Sequence, residues 1–165
     1  MRKSIYSSLL LPNITYCING WSHTIVTSLN HLNVIYNRIC RSVLLTKRRD
    51  MSTQQLYQEL NWLNLEQYIK FPLAVLAYKF VNHLLLYELP FPEFINSIVD
   101  YPLRTNNNFR LPLCNHPNKS HMLIYRSSKI WNRLPENIKS RNTISSFKNT
   151  WKFSCKVIPW MTSAC

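Results

Sequence analysis

Residues 23–45 read HTIVTSLNHLNVIYNRICRSVLL, and the spacing of their apolar members decides the local structure. Leu29, Leu32, Tyr36, Ile39 and Val43 recur at three- and four-residue steps, which gives an α-helix one apolar face. Asn30, Asn37, Arg38 and Arg41 fall on the other side of the wheel. The helix runs into Lys47, Arg48 and Arg49, cations that suit the carbonyl-rich C-terminal end of a helix. Ser52 and Gln55 have the offset of a capping box, predicting a short helix over 53–60. Asn64 and Gln67 repeat that offset and open a third helix over 65–86. Pro72 lies inside it. A proline removes one backbone donor and crowds the preceding turn, at roughly 3 kcal/mol in a helix interior, so a kink or a break is expected there. LPFPEF at 89–94 ends the helical run.

Residues 100–120 carry Pro102, Pro112, Pro117 and the run Asn106, Asn107 and Asn108, a composition that favours extended chain and turns. HMLIY at 121–125 reads as a strand, followed by helices near 126–133, 135–140 and 144–154. The predicted organisation is a helical unit over 1–98, a basic connector over 99–120 and a small C-terminal unit over 121–165. The predicted fold class is mainly α, with at most a short β pairing in the C-terminal unit.

Composition narrows the chemistry. Twenty Lys and Arg against seven Asp and Glu leave a formal charge of +13, which makes a polyanion the leading partner. Gly20 is the only glycine, so phosphate-cradling loops and dinucleotide fingerprints are excluded. Helix ends and turns must lean on asparagine and proline instead. The five cysteines are odd in number and scattered, which argues for a reducing compartment and against a disulfide framework. Cys17 and Cys40 fall in apolar patterns where a free thiol packs as a small hydrophobe. The apolar run near the N-terminus is broken by Ser7, Ser8 and Pro12, and no stretch approaches the roughly 18 apolar residues of a membrane span. An intracellular, non-secreted protein is expected, so the sequons at Asn13 and Asn118 carry no weight.

KIWNRLPENIKSRNTISSFK at 129–148 resembles the C-terminal end of the polymerase polyprotein of non-LTR (LINE-type, jockey-like) retrotransposons. That family carries W-N-x-L-P-x-x-I-K, a polar linker, then an S-x-x-x-F-K helix. The matching residues are Trp131, Asn132, Leu134, Pro135, Ile138 and Lys139, then Ile144, Phe147 and Lys148. Upstream, YSSLLLPNITYCINGW at 6–21 resembles the helix that follows the polymerase palm. LAVLAYKFVNHLL at 73–85 resembles the long middle helix, and YPLRTNNNFRLP at 101–112 the basic extended stretch after it. Pro72 departs from the family pattern. The resemblance implies the thumb and tail of a reverse transcriptase, an RNA-directed DNA polymerase whose thumb holds template and primer. Such enzymes use two metal ions held by clustered aspartates. Here the only aspartates are Asp50 and Asp100, and neither lies in a Tyr-x-Asp-Asp hairpin. The chain is therefore expected to be non-catalytic, with no cofactor and no metal.

The expected function is RNA or DNA binding through phosphate contacts, with little sequence preference. The candidate contacts are Arg38, Arg41, Lys47, Arg48, Arg49, Arg104, Arg110, Arg126 and Lys129. The last four belong to a stretch where cations alternate with rings: Tyr101, Arg104, Phe109, Arg110, Tyr125, Arg126, Lys129, Trp131, Arg133. Single-strand binders combine stacking rings with a cationic groove, but Trp131, Phe147 and Trp151 are read as core. Cys114, His116 and His121, with Cys155, offer zinc-ligand types at a spacing that matches no standard pair of knuckles. Other expected partners are the missing palm or a second copy of the chain, because the apolar face of the 23–45 helix would be only partly covered. The alternative function is a protein-interaction or structural fragment without activity.

Overall fold

The computed structural model describes residues 2–21, 26–46, 50–87, 89–95, 108–111 and 122–157. Eight helices account for most of them: α1 (Arg2–Thr15), α2 (Ile18–Trp21), α3 (Val26–Leu44), α4 (Thr53–Leu60), α5 (Leu65–Val81), α6 (Leu123–Arg133), α7 (Glu136–Lys139) and α8 (Ile144–Val157). The described residues contain no strand, only an isolated antiparallel bridge between Phe94 and Phe109. None of the described helices is long and apolar enough to cross a membrane. The chain groups into two compact units, Met1–Ile69 with Lys152–Cys165, and Lys70–Trp151.

In the first unit, Tyr36 and Cys40 are the deepest residues of α3, one helical turn apart. Tyr36 stacks on Tyr57 and Trp62, meets Tyr68 edge-on, and donates its hydroxyl to the carbonyl of Leu63 at 2.8 Å. Burial pushes this phenol, and those of Tyr57 and Tyr68, above the usual range, while the Cys40 thiol rises to about 11 by desolvation. α4 packs through Leu56 and Leu60, an i, i+4 pair with essentially no exposure. Leu29, Leu32, Ile39 and Val43 are half-buried, and Val34 and Ile35 are exposed. Asn37, assigned by the wheel to the solvent side, instead accepts a hydrogen bond from the Tyr57 hydroxyl and so faces α4.

Both capping boxes form. The Ser52 hydroxyl accepts from the Gln55 N–H while the Gln55 side chain accepts from the Ser52 N–H. Asn64 and Gln67 make the same reciprocal pair at 2.7 and 2.9 Å. α4 ends at Asn61 in the left-handed region, with the Trp62 N–H reaching back to the Tyr57 carbonyl. Asparagine thus takes the role of the missing glycine there. Elsewhere it does not: Leu45 (φ 58°) and His83 (φ 52°) occupy equivalent positions, with Thr46 and Leu84 donating to Arg41 and Lys79. The turn at His83 stops α5 at Val81, earlier than the predicted 86. Cys17 is exposed in the left-handed turn after α1, not packed as the sequence pattern suggested.

α5 runs without a break through Pro72. The missing N–H deprives the Tyr68 carbonyl of its partner. Leu73, Ala74, Ala77 and Tyr78, all fully buried, follow immediately. Burying Leu73 and Tyr78 contributes about 1.5–3 kcal/mol each, enough to offset the proline. In the second unit Trp131, Phe147 and Trp151 are buried, as read from the sequence. Tyr78 stacks on Phe147 at 4.4 Å and donates to the Arg141 carbonyl at 2.7 Å, and Phe71 packs on Trp151 at 5.1 Å. Residues 122–125 do not form the predicted strand. Met122 is the extended N-cap and Leu123 begins α6, whose Ser127 hydroxyl donates to the Leu123 carbonyl one turn back. The helical repeat Leu123, Ser127 and Trp131 outweighs the local β propensity of the apolar run.

Candidate nucleic-acid interface

Among the described residues of the second unit, α6 carries three cations at helical spacing: Arg126, Lys129 and Arg133. Ser127, Ser128 and Trp131 are buried and set the inner side of the helix. At 3.6 residues per turn, Arg126, Lys129 and Arg133 fall within roughly 60° of one another, on the side opposite Ser127 and Trp131. Along the axis they are spaced by about 4.5 and 6 Å, within reach of successive phosphates on a strand. Arg133 is exposed, while Arg126 and Lys129 are half-buried. Arg133 belongs to the alternating stretch of cations and rings but is not one of the candidate contacts read from the sequence. The signal that identifies it is its i+4 offset from Lys129 and i+7 offset from Arg126 on one helix.

Arg110 lies in the short segment 108–111. The Ile95 N–H donates to Asn108 and the Arg110 N–H donates to Glu93, at 2.9 and 2.8 Å. Phe109 is buried among rings, 4.6 Å from Phe94, 5.5 Å from Phe91, 5.9 Å from Phe80 and 6.4 Å from Trp131. Arg110 itself is exposed. Lys139, by contrast, is not a surface cation. It is buried, donates to Asn108 Oδ1 at 2.8 Å and Glu136 Oε1 at 3.0 Å, and lies 5.9 Å from the centroid of the Trp131 ring. Glu136 is well exposed, so most of this ion pair's worth is in anchoring Asn108 and covering Trp131.

The remaining candidates divide. Arg38 is exposed on α3 in the first unit. Arg41 is half-buried with its Nε shielded from solvent, so the wheel overstated its exposure. Lys47, Arg48, Arg49 and Arg104 lie outside the described residues, as do Cys114, His116 and His121. Among the described residues no group of three or more His, Cys, Asp or Glu is placed to hold a metal. Asp50 is exposed and lines an open hollow with Met51, Gln55, Gln58 and Glu59, while Asp100 lies outside the described residues. No family model, no curated protein and no solved structure matches this chain.

Proposed function

We propose that the chain is a non-catalytic segment of non-LTR reverse-transcriptase ancestry, corresponding to the thumb and tail, that binds RNA or DNA through its phosphates. The observation that carries this reading is the cationic stripe of α6, three charges within roughly 60° of arc opposite a buried tryptophan. Its setting supports it. Residues 70–151 hold eleven Lys and Arg against four Asp and Glu, and Arg110 of the same unit is exposed. The motif resemblance supplies the ancestry, and the lack of a paired aspartate supplies the absence of catalysis. The protein acts inside the cell.

The test is fluorescence anisotropy of the purified chain with single-stranded oligonucleotides across a salt series. Affinity in the range of about 10⁻⁴ to 10⁻⁶ M is expected, with a log–log slope of about −5 if roughly seven phosphates are engaged. Neutralising Lys47, Arg48 and Arg49 together flattens the slope by about 2, as does neutralising Arg126, Lys129 and Arg133. Binding that is insensitive to salt and to both triple variants refutes the proposal. A second reading, a protein-interaction segment that docks on a palm or on another copy, is favoured by one observation. Leu84, Leu86 and Tyr87 are exposed together after α5, and Ile5 and Leu9 are exposed on α1. Concentration-dependent self-association without oligonucleotide binding is the result that selects it.

A further inference from the structure

The bridge between Phe94 and Phe109 leaves the N–H and C=O of Phe109 pointing away from residues 93–95, because the flanking Asn108 and Arg110 make the bonds to that side. Two buried main-chain groups facing outward from a one-pair ladder need partners from elsewhere. Asn132 supplies both. Its Oδ1 accepts from the Phe109 N–H at 2.8 Å and its Nδ2 donates to the Phe109 C=O at 2.8 Å. A side-chain amide with one acceptor and one donor on the same edge is the smallest group that can complete such a pairing. The segment is therefore held on one side by Glu93 and Ile95 and on the other by a residue of α6. Lys139 adds a second pin through Asn108 Oδ1.

We infer that Asn132 is a positioning residue for Arg110: its two-bond clamp on Phe109 fixes the main chain one residue before Arg110 and joins that exposed cation to the α6 stripe. Asn132 lies between Lys129 and Arg133 in sequence and flanks the stripe, about 60° around the helix from Lys129. The four cations Arg110, Arg126, Lys129 and Arg133 then form one pre-arranged phosphate-binding face, for the backbone of a single strand. This inference rests on the nucleic-acid reading above.

A double-mutant cycle on the full chain tests it, read as the salt dependence of binding to a fluorescent oligothymidylate. Arg110→Ala is expected to remove one phosphate contact and flatten the log–log slope by about 0.7. Asn132→Ala, which removes no charge, is expected to flatten it by the same amount, and the double variant by no more than either single change. The ring of Phe109 keeps its aromatic neighbours without Asn132, so the fold is expected to survive, which far-ultraviolet circular dichroism checks. Asn132→Gln, with an uncharged amide displaced by one methylene, is the second variant and carries the same expectation if the alanine protein fails to fold. Wild-type slopes in the Asn132 variants, additive losses in the double variant, or an Arg110→Ala protein that binds like wild type each overturn the inference while leaving the binding reading intact. Absence of salt-dependent binding by the wild-type chain overturns both.

Discussion

The two capping boxes of the first unit are chemically alike and environmentally opposite, which makes them an internal control on what a cap is worth. Ser52 and Gln55 are exposed, whereas Gln67 is buried and Asn64 half-buried. Truncating Gln55 to alanine uncouples the Ser52 N–H, but water replaces the lost partner, so a loss of about 0.5 kcal/mol is expected. Truncating Gln67 to alanine strands the Asn64 N–H where water does not reach freely. Leaving a buried donor unpaired costs about 1–3 kcal/mol, and the emptied volume beside α5 adds to it. The expected loss is about 2–3 kcal/mol, a gap of roughly 2 kcal/mol between two formally identical substitutions. Ser52→Ala and Asn64→Ala should differ in the same sense within the range of about 0.5–2 kcal/mol known for N-caps. Urea unfolding followed by tryptophan fluorescence, with m held constant, measures all four. For a chain of this size each kcal/mol also moves the melting midpoint by about 2–4 °C. Equal losses for Gln55→Ala and Gln67→Ala would show that the burial of the second box contributes nothing, and the reasoning from solvent access would fail.

Asn61→Val is expected to lower stability by about 1–2 kcal/mol, because a β-branched residue resists the left-handed cap, while Asn61→Gly should stay within a few tenths in the same urea assay. Trp131→Ala should cost about 3–5 kcal/mol and collapse the second unit, seen as loss of near-ultraviolet dichroism; a folded variant would show that Trp131 is not core. Tyr36, Tyr57 and Tyr68 and the Cys40 thiol bind protons more tightly folded than unfolded, chiefly through desolvation. Their stabilising contribution is therefore complete below the unfolded thiol value of 9.0 and phenol value of 10.0 and is lost as pH rises from there toward the folded values. Tyrosinate absorbance and helical dichroism should change together above about pH 10, and tyrosinate formation without unfolding would contradict the burial. Primer extension with any template and divalent metal should stay at background, and activity abolished by Asp50→Asn or Asp100→Asn would refute the non-catalytic reading.

What could be read from residues alone was what depends on neighbours in sequence. The helix over 53–60 is predicted to the residue because its signal, the capping box of Ser52 and Gln55, is local. The strand expected over 121–125 failed because a five-residue apolar window cannot distinguish a strand from the first turn of a helix. What decides it is Trp131, two turns on, needing the inner side of α6. Pro72 misled in the opposite direction: the local rule is sound, but burial of Leu73 and Tyr78, which depends on partners far away such as Phe147, outweighs it. The same limit applies to the candidate site. Arg126 and Lys129 share a helix face that spacing reveals, whereas the half-burial of Arg41 beside Tyr57 and Cys40 depends on packing that no spacing rule contains.

The W-N-x-L-P-x-x-I-K stretch shows why a motif and a binding surface are different things in this protein. Trp131, Leu134 and Ile138 are buried, Asn132 completes the pairing of Phe109, Pro135 caps α7, and Lys139 is spent on Asn108 and the Trp131 ring. Each motif position therefore has a folding reason for its residue type, and even the one cation among them faces inward. Anything the surface does must come from the residues the motif leaves variable, and Arg133, at its x between Asn132 and Leu134, is one of them. Substituting Lys139 by methionine, which keeps the stem over Trp131 but removes the charge, separates the two roles. Its effect should appear in stability, through the lost bond to Asn108, at about 1.5–3 kcal/mol for a hydrogen bond to a charged group. The salt slope of nucleic-acid binding should not respond directly, since this ammonium is buried and bonded to Asn108 and Glu136. A Lys139→Met chain of unchanged stability with a slope flattened by about 0.7 would reverse that assignment and place the motif lysine in the interface.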